Sequence, residues 1–261
     1  MIVTSNLPGS EPVPASAPGT PLVAALDVEW SKNYRIRGGN IPFCYSAVWL
    51  AFPAGSASTS LDHARFWYTS TYVEDTGELA DLIASADRTL ASLLRNATLI
   101  TGHQLCSDLA ILTAASGTPP SAVATASAAW RQRRQAPHGQ PGFLDTRYDT
   151  GHILTCQSRR LVDVCTNLRL EVTQPELRGI SMTALHRRWL ESGDVTAREK
   201  ITVLNLRHSL STAIVAARAA GVAYWQPGLN LNQLLASELG STFGWLAHPA
   251  FTALLGQPDA A

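Results

Sequence analysis

The chain has 261 residues, of which 46% are hydrophobic and only 15% charged, against about 25% charged in typical globular domains. This length allows one large domain or two small ones, with a sizeable core, and the lack of an apolar run of 18 residues excludes a membrane-spanning helix. Because 20 basic and 20 acidic residues cancel, the overall charge supplies no affinity for nucleic acid, and any such affinity requires a local basic surface.

Both ends of the chain are predicted to be tails around a single domain at 21–256. Residues 1–20 are rich in Pro, Ser and Gly and cannot bury enough surface to offset chain entropy, so we expect a flexible tail, with a second short tail at 257–261.

The cysteines are scattered and form no CxxC pair, which predicts reduced thiols rather than a zinc site or a disulfide scaffold: Cys44, Cys106, Cys156 and Cys165. Since the N-terminus does not resemble a secretory signal, we expect a cytoplasmic protein.

The first half of the chain is predicted to contain most of the strands. Apolar runs at 22–26, 45–52 and 64–68, separated by turn residues, predict three neighbouring strands in a β-meander. Leucines and other apolar residues then recur at spacings of three and four, which predicts an amphipathic helix at 77–95. A further apolar run at 98–102 predicts the next strand.

The second half is predicted to be mainly helical. Residues 107–115 favour a helix, 119–135 are alanine-rich, and 143–145 predict one more short strand. Helical patterns follow at 158–170, 181–191, 196–220, 230–239 and 244–255. Strands first, then a strand among helices, predict an α/β fold with a mixed central sheet flanked by helices.

The first candidate for chemistry is the pair Asp27 and Glu29, which follows the first apolar run. Residues two apart in a strand face the same side, so the two carboxylates project together. Paired oxygen ligands of this kind suit Mg²⁺ or Mn²⁺. Taken alone, the same pattern is also typical of two solvated acids at the end of a strand.

The second candidate is the segment from Gly102 to Leu112, where a strand ends at Gly-His and a helix begins near Ser107. Asp108 then lies in the first turn of that helix. A carboxylate in this position is favoured by the helix dipole, so simple helix capping is an alternative explanation for it.

The order of these features resembles the DEDD (DnaQ-like) 3′–5′ exonuclease family of the RNase H-like superfamily. The first motif of this family is D-x-E on the first strand, which Asp27 and Glu29 match. A later strand of the family reads Asp-Thr, and Asp145-Thr146 fits it. The resemblance covers about residues 21–220 and implies an RNase H-like mixed central sheet flanked by helices.

The second motif of the family is approximately G-H-N-x-x-F-D-x-x-x-L. Its matching positions in this chain are Gly102, His103, Asp108 and Leu112. Gln104 replaces the Asn of the motif and Ser107 replaces the Phe. Through this resemblance Asp108 becomes a candidate metal ligand.

The third motif departs from the family pattern. His208 stands where the family has its last metal-binding Asp, while Leu204 and Val203 stand where it has a general-base Tyr or His. A neutral imidazole binds Mn²⁺ well and Mg²⁺ poorly. Three interpretations of His208 stay open: a replacement ligand, a hydrogen-bonded histidine on a half-buried helix face, or the base beside a single ion.

The resemblance implies a Mg²⁺- or Mn²⁺-dependent nuclease that removes nucleotides from the 3′ ends of single-stranded nucleic acid. Its metal-binding and catalytic residues would be Asp27, Glu29, Asp108 and His208. The alternative is a catalytically impaired module that binds nucleic-acid ends or a protein partner. A small-molecule enzyme is a third class, but the chain lacks the G-x-x-x-x-G-K-[ST], G-x-G-x-x-G and G-x-S-x-G motifs.

Two weaker features also bear on nucleic-acid binding. Trp30 and Tyr34, just after the first motif, are candidates for stacking on a terminal base or for ordinary packing. Arginines on both sides of a Pro/Gly loop predict either a phosphate-binding rim or solvated helix ends: Arg131, Arg133, Arg134, Arg159 and Arg160.

Overall fold

The computed structural model describes residues 1–7, 19–31, 39–55, 58–135 and 142–256. The strands of this part are β1 (Ile2–Ser5), β2 (Leu22–Ser31), β3 (Ile41–Ala51), β4 (Thr59–Ser60), β5 (Arg65–Tyr72), β6 (Leu99–Gly102), β7 (Gly142–Asp145), β8 (Leu170–Glu171), β9 (Ala223–Tyr224) and β10 (Leu229–Asn230). Its α-helices are α1 (Leu79–Asn96), α2 (Leu105–Ser116), α3 (Ser121–Gln132), α4 (Leu161–Asn167), α5 (Met182–Ser192), α6 (Val195–Ala219), α7 (Leu231–Leu239) and α8 (Pro249–Thr252).

A six-stranded mixed sheet forms the centre of the fold, in the order β1-β5-β3-β2-β6-β7. The pairs β1–β5, β5–β3 and β3–β2 are antiparallel, while β2–β6 and β6–β7 are parallel. The predicted meander of three neighbouring strands is confirmed by β2, β3 and β5. The predicted α/β fold, with a mixed central sheet flanked by helices, is confirmed as well.

Helices cover both faces of the sheet because β2 is apolar on both of its sides. One set of its alternate residues packs with α1, α2 and α3: Leu22, Ala24, Leu26 and Val28. The other set, Val23 and Ala25, packs with α4, α6 and α7. Continuing this alternation puts Asp27 and Glu29 on the face that α6 covers.

Helix α6 spans 25 residues, and its position on the sheet is set by polar contacts as well as by apolar packing. It begins at Asp194, whose Oδ1 accepts a hydrogen bond from the Ala197 amide at 3.0 Å. Near its middle, the buried hydroxyls of Ser209 and Ser46 of β3 lie 2.7 Å apart. The cap fixes the start of α6, while the contact between Ser209 and Ser46 ties the helix to the sheet. None of the helices in the described ranges is both long enough and apolar enough to cross a membrane.

The start of the chain differs from the prediction. Residues 2–5, expected within a flexible tail at 1–20, form the edge strand β1 and pair with β5, Ile2 opposite Tyr72. The terminal ammonium of Met1 also pairs with Glu74 and Glu78. The tail prediction is therefore wrong for this segment, because backbone pairing with an existing sheet edge does not require a strongly apolar sequence. The rest of the two predicted tails includes 8–18 and 257–261, which lie outside the described residues.

The predicted helix at 244–255 is also wrong. The chain forms a 3₁₀ turn over Gly244–Ala247 and then the short α8. The break falls at His248, which is extended at φ −70° and ψ 138°, because a following proline disfavours the helical conformation. The His248 ring then accepts a hydrogen bond from the Ala250 amide at 3.1 Å and caps the new helix.

Candidate metal centre

Two carboxylates of β2 meet a histidine of α6 on one face of the sheet. The Nδ1 atom of His208 lies 3.6 Å from Asp27 Oδ2 and 3.5 Å from Glu29 Oε1. One potential ligand atom from each of the three residues lies within 4.8 Å of the others. The side chains of Asp27, Glu29 and His208 are 15%, 16% and 29% exposed. The cluster is therefore mostly buried but still accessible to solvent.

The backbone of β2 explains why the two carboxylates converge. The strand does not end before the acids but continues to Ser31, with a register irregularity between Glu29 and Trp30. Up to Glu29 the strand pairs regularly with β3, so the side chains of Asp27 and Glu29 project from the same face of the sheet. The third side chain comes from α6, which packs across β2 and β3.

Asn205 is a member of the site that sequence reasoning missed. It is fully buried one helical turn before His208, and its Nδ2 donates hydrogen bonds to Asp27 Oδ2 at 2.6 Å and to the Asp27 carbonyl at 3.2 Å. This pair of bonds fixes the orientation of the Asp27 carboxylate. The three-residue spacing to His208 was the available signal, since residues i and i+3 share a helix face.

His208 is held as a cation by its two carboxylate neighbours. Burial alone would lower the pKa of His208, but hydrogen bonding to Asp27 and Glu29 outweighs it and raises the pKa to about 10. At neutral pH the imidazolium therefore balances charge between the carboxylates. A metal ion using its Nδ1 atom as a ligand must first displace that proton.

Asp108 lies outside the group of three but belongs to the same electrostatic environment. Its residue is 3% exposed, and no described residue hydrogen-bonds its Oδ2. Burial raises the pKa of Asp108 well above its usual range, and the charges of Asp27 and Glu29 raise it further. A nearby cation would stabilise a buried carboxyl oxygen that has no hydrogen bond.

Asp108 lies in the first turn of α2, as its alternative explanation requires, but the hydrogen bonds at the start of this helix are made by Asp145. The carboxylate of Asp145 accepts hydrogen bonds from the amides of Gln104 and Leu105 at the start of α2, at 3.0 and 2.9 Å. It also accepts bonds from the Arg147 amide at 3.0 Å and from Trp130 Nε1 at 3.1 Å. Asp145 therefore ties β7, α2 and α3 together, and its role in the structure is architectural.

Replacing Asp145 by Ala should lower the free energy of unfolding by about 2–4 kcal/mol, because several buried donors lose their acceptor at once. Urea unfolding followed by circular dichroism measures this change. Asp145→Asn is the matched variant, since it retains one carbonyl oxygen and should lose less. A loss below about 0.5 kcal/mol for the Ala variant, the level of an ordinary surface change, would contradict this assignment.

His103 is the second histidine near the carboxylates. Thr101 of β6 lies beside Ala25 of β2, so His103 and Asp27 follow at the same end of the sheet. The Nδ1 atom of His103 lies 2.9 Å from the Thr146 hydroxyl. Burial lowers the pKa of His103 to about 4, although the charge of Asp27 acts in the opposite direction. At neutral pH the His103 ring is therefore neutral, whereas the His208 ring is charged.

The positions that carry a general base in the resembled family have no such group here. Val203 is fully buried and Leu204 is 3% exposed, and each packs in a different apolar cluster. Trp30 packs against the cluster that contains Leu204, which favours ordinary packing for this side chain. Tyr34 lies outside the described residues.

The arginines around the Pro/Gly loop are partly committed to other contacts. Arg133 and Arg134 both pair with Asp149, at 2.6 and 3.0 Å, and Arg133 also lies over the Trp130 ring at 4.1 Å. Arg159 donates to the Cys156 carbonyl at 2.8 Å. These contacts therefore argue against a continuous phosphate-binding rim made of all five arginines.

The donor set of the centre fits a divalent cation. The two carboxylates and the imidazole nitrogen that converge here are ligands that Mn²⁺ accepts readily, while Mg²⁺ prefers oxygen alone. A scan against protein-family models and a search of curated proteins each found no match to this chain.

Proposed function

We propose that the chain is a metal-dependent nuclease that removes nucleotides from the 3′ ends of nucleic acid. Asp27, Glu29, Asp108 and His208 would hold Mg²⁺ or Mn²⁺. The observation that carries the proposal is the convergence of Asp27, Glu29 and His208 within 4.8 Å. The substrate class, single-stranded nucleic acid, rests on the motif resemblance, and the free thiols of all four cysteines support action in the cytoplasm.

The chemistry of the proposal is phosphodiester hydrolysis. A divalent ion would supply Lewis-acid activation of the phosphoryl oxygen and of the attacking water. Water forms the new bond to phosphorus, the bond from phosphorus to the preceding 3′ oxygen breaks, and that oxygen takes up a proton. The products are a nucleoside 5′-monophosphate and a strand shortened by one nucleotide. Asn205 contributes by holding the Asp27 carboxylate in one orientation.

A 5′-labelled single strand should shorten stepwise in the presence of Mn²⁺ and more slowly with Mg²⁺, because an imidazole replaces one oxygen ligand. Cleavage should be roughly 10²–10⁴-fold slower than at a site with a positioned general base, since positions 203 and 204 provide none. Gel electrophoresis of the labelled products over time measures both effects.

The variants for this experiment follow from the site. His208→Asp restores an oxygen ligand and should raise Mg²⁺-supported cleavage. Glu191→Gln changes an exposed acid on α5 and should leave cleavage unchanged. Absence of cleavage with both metals, in the wild type and in His208→Asp, would rule out the nuclease.

A second candidate function is a binding module for nucleic-acid ends without hydrolysis. The observation that favours it is the position of His208 Nδ1, 3.6 Å from Asp27 and 3.5 Å from Glu29, where a protonated ring balances both carboxylates. This candidate predicts salt-sensitive binding of a 3′ end that is the same with Mn²⁺ and with a chelator. Filter binding at several salt concentrations, alongside the cleavage assay, separates the two functions.

A further inference from the structure

A cavity lies at the other end of α6 from the candidate metal centre. It has a volume of about 280 Å³, and the ends of α4 and α6 and the loop between β9 and β10 contribute to its walls. Arg218, in the last turn of α6, lines this cavity and follows His208 by ten residues. A rise of about 1.5 Å per residue therefore separates Arg218 from the metal centre by about 15 Å along the helix.

Arg218 is held at the cavity by an aromatic ring. Its guanidinium carbon lies 4.6 Å from the centre of the Trp225 ring, and Trp225 is 6% exposed, so the arginine rests on a fixed wall. The last four carbonyls of α6, at 216–219, already accept hydrogen bonds at 2.8–3.0 Å from the amides at 220–222 and from His152 Nε2. The end of the helix therefore does not need Arg218 as a donor.

Arg169 stands at a position where helices more often have glycine. It follows the end of α4 with φ +57°, in the left-handed region, and its amide donates to the Thr166 carbonyl at 3.0 Å. Its own carbonyl accepts a hydrogen bond from the Gly228 amide at 3.0 Å. Glycine adopts this conformation without steric cost, so the backbone does not explain the arginine. Its side chain lines the same cavity as Arg218.

The remaining walls of the cavity are partly polar and partly apolar. Asn167 Nδ2 donates to the Thr155 hydroxyl at 2.7 Å, and Asn167 Oδ1 accepts from the Thr155 amide at 3.0 Å. This pair leaves the hydroxyl hydrogen of Thr155 and the second amide hydrogen of Asn167 as donors. Leu168, Trp225 and Pro227 supply apolar surface beside them.

Positive charge dominates this cavity. None of the described residues that line it is an Asp or a Glu, and within the described ranges neither Arg169 nor Arg218 has a carboxylate oxygen within 4.0 Å. Of the acids nearest in the chain, Asp163 accepts a hydrogen bond from the Ser158 hydroxyl at 2.6 Å, and Glu171 is exposed. Two guanidinium groups with further donors beside them match the oxygens of a phosphate group.

We propose that this cavity is a phosphate-binding site separate from the metal centre. Arg169 and Arg218 hold the phosphate oxygens, Thr155 and Asn167 donate hydrogen bonds to them, and the apolar wall contacts the organic group that carries the phosphate. A small phosphomonoester and the backbone of a nucleic-acid strand present the same oxygens. The site does not depend on the nuclease function, because it shares no residue with the metal centre.

Isothermal titration of the full chain with inorganic phosphate, ribose 5-phosphate and a short oligothymidylate tests the site, with a chelator present to prevent cleavage. The wild type should bind at least one of the three. Arg218→Gln and Arg169→Gly should each weaken that binding about tenfold or more, because each variant loses a charge-assisted contact. Dependence on both arginines for ribose 5-phosphate identifies a small phosphomonoester as the ligand, and the same dependence for the oligothymidylate alone identifies a strand.

Arg169→Gly also separates binding from folding. Since glycine suits the left-handed conformation, this variant should unfold at the temperature of the wild type or higher, while its binding is lost. Arg187→Gln, which removes the charge of an exposed arginine on α5, is the matched control and should bind like the wild type.

Two results would overturn the site: no binding of any of the three ligands, or equal binding by the wild type and both arginine variants. A chain that cleaves nothing but shows the expected dependence on Arg169 and Arg218 would overturn the nuclease function alone. Asp27→Asn should leave the binding of ribose 5-phosphate unchanged, because this carboxylate belongs to the metal centre and not to the cavity.

Discussion

Asp27→Asn should abolish Mn²⁺-dependent cleavage, lowering its rate by about 10³-fold or more, because the metal centre loses one negative ligand. The fold should survive, since the new amide oxygen still accepts the hydrogen bond from Asn205. Single-turnover cleavage of a labelled strand measures the rate, and isothermal titration with Mn²⁺ measures the accompanying loss of affinity.

The control for this variant is Asp81→Asn, which removes an exposed acid in the first turn of α1. Both variants should unfold within a few degrees of the wild type. Full cleavage by a folded Asp27→Asn protein would exclude this carboxylate from the chemistry. Loss of cleavage together with loss of folding would point to a structural role for Asp27 instead.

Mn²⁺ affinity should rise about tenfold per pH unit, or roughly 100-fold from pH 6 to pH 8, for each proton that the metal displaces. The raised pKa of His208, about 10, gives the sign: the ring is protonated throughout this range, and raising the pH makes the proton easier to remove. A histidine of ordinary pKa, near 6.5, would give a curve that flattens above pH 7. The shape of the curve at pH 7–8 therefore separates the two cases.

Titrations in buffers of different ionisation enthalpy count the released protons directly. His208→Gln should remove the rise above pH 7 that its proton causes. Asp108→Asn tests whether the buried carboxyl, whose pKa is also raised, contributes a second proton. Affinity that is independent of pH in the wild type would mean that the metal does not displace the His208 proton.

Local periodicity was enough to predict the frame of the site. The alternation of apolar residues in β2 put Asp27 and Glu29 on one side of a strand, and the three- and four-residue spacing in α1 marked a helix. Both patterns depend only on backbone geometry within a few residues. The end of a helix at a proline was not predicted. Pro249 divides the last predicted helix into a 3₁₀ turn and the short α8.

Residues distant in the chain were decided by tertiary structure alone. Asn205 is 178 residues from Asp27, and its two hydrogen bonds depend on how α6 packs across β2 and β3. The same packing turns His208 into a cation, because its pKa responds to charges that another element brings close. Likewise, Asp145 caps α2 through space, so no pattern around residue 108 could reveal that the capping position was already filled.

The sequence by itself predicted the mixed sheet, the meander of β2, β3 and β5 and the candidate residues Asp27, Glu29, Asp108 and His208, but not the edge strand β1. The tertiary structure decided which of them meet: three converge within 4.8 Å, while Asp108 is buried outside that group. The physical reason is that secondary structure follows from local spacing, whereas distances and charges at a site depend on the packing of elements far apart in the chain.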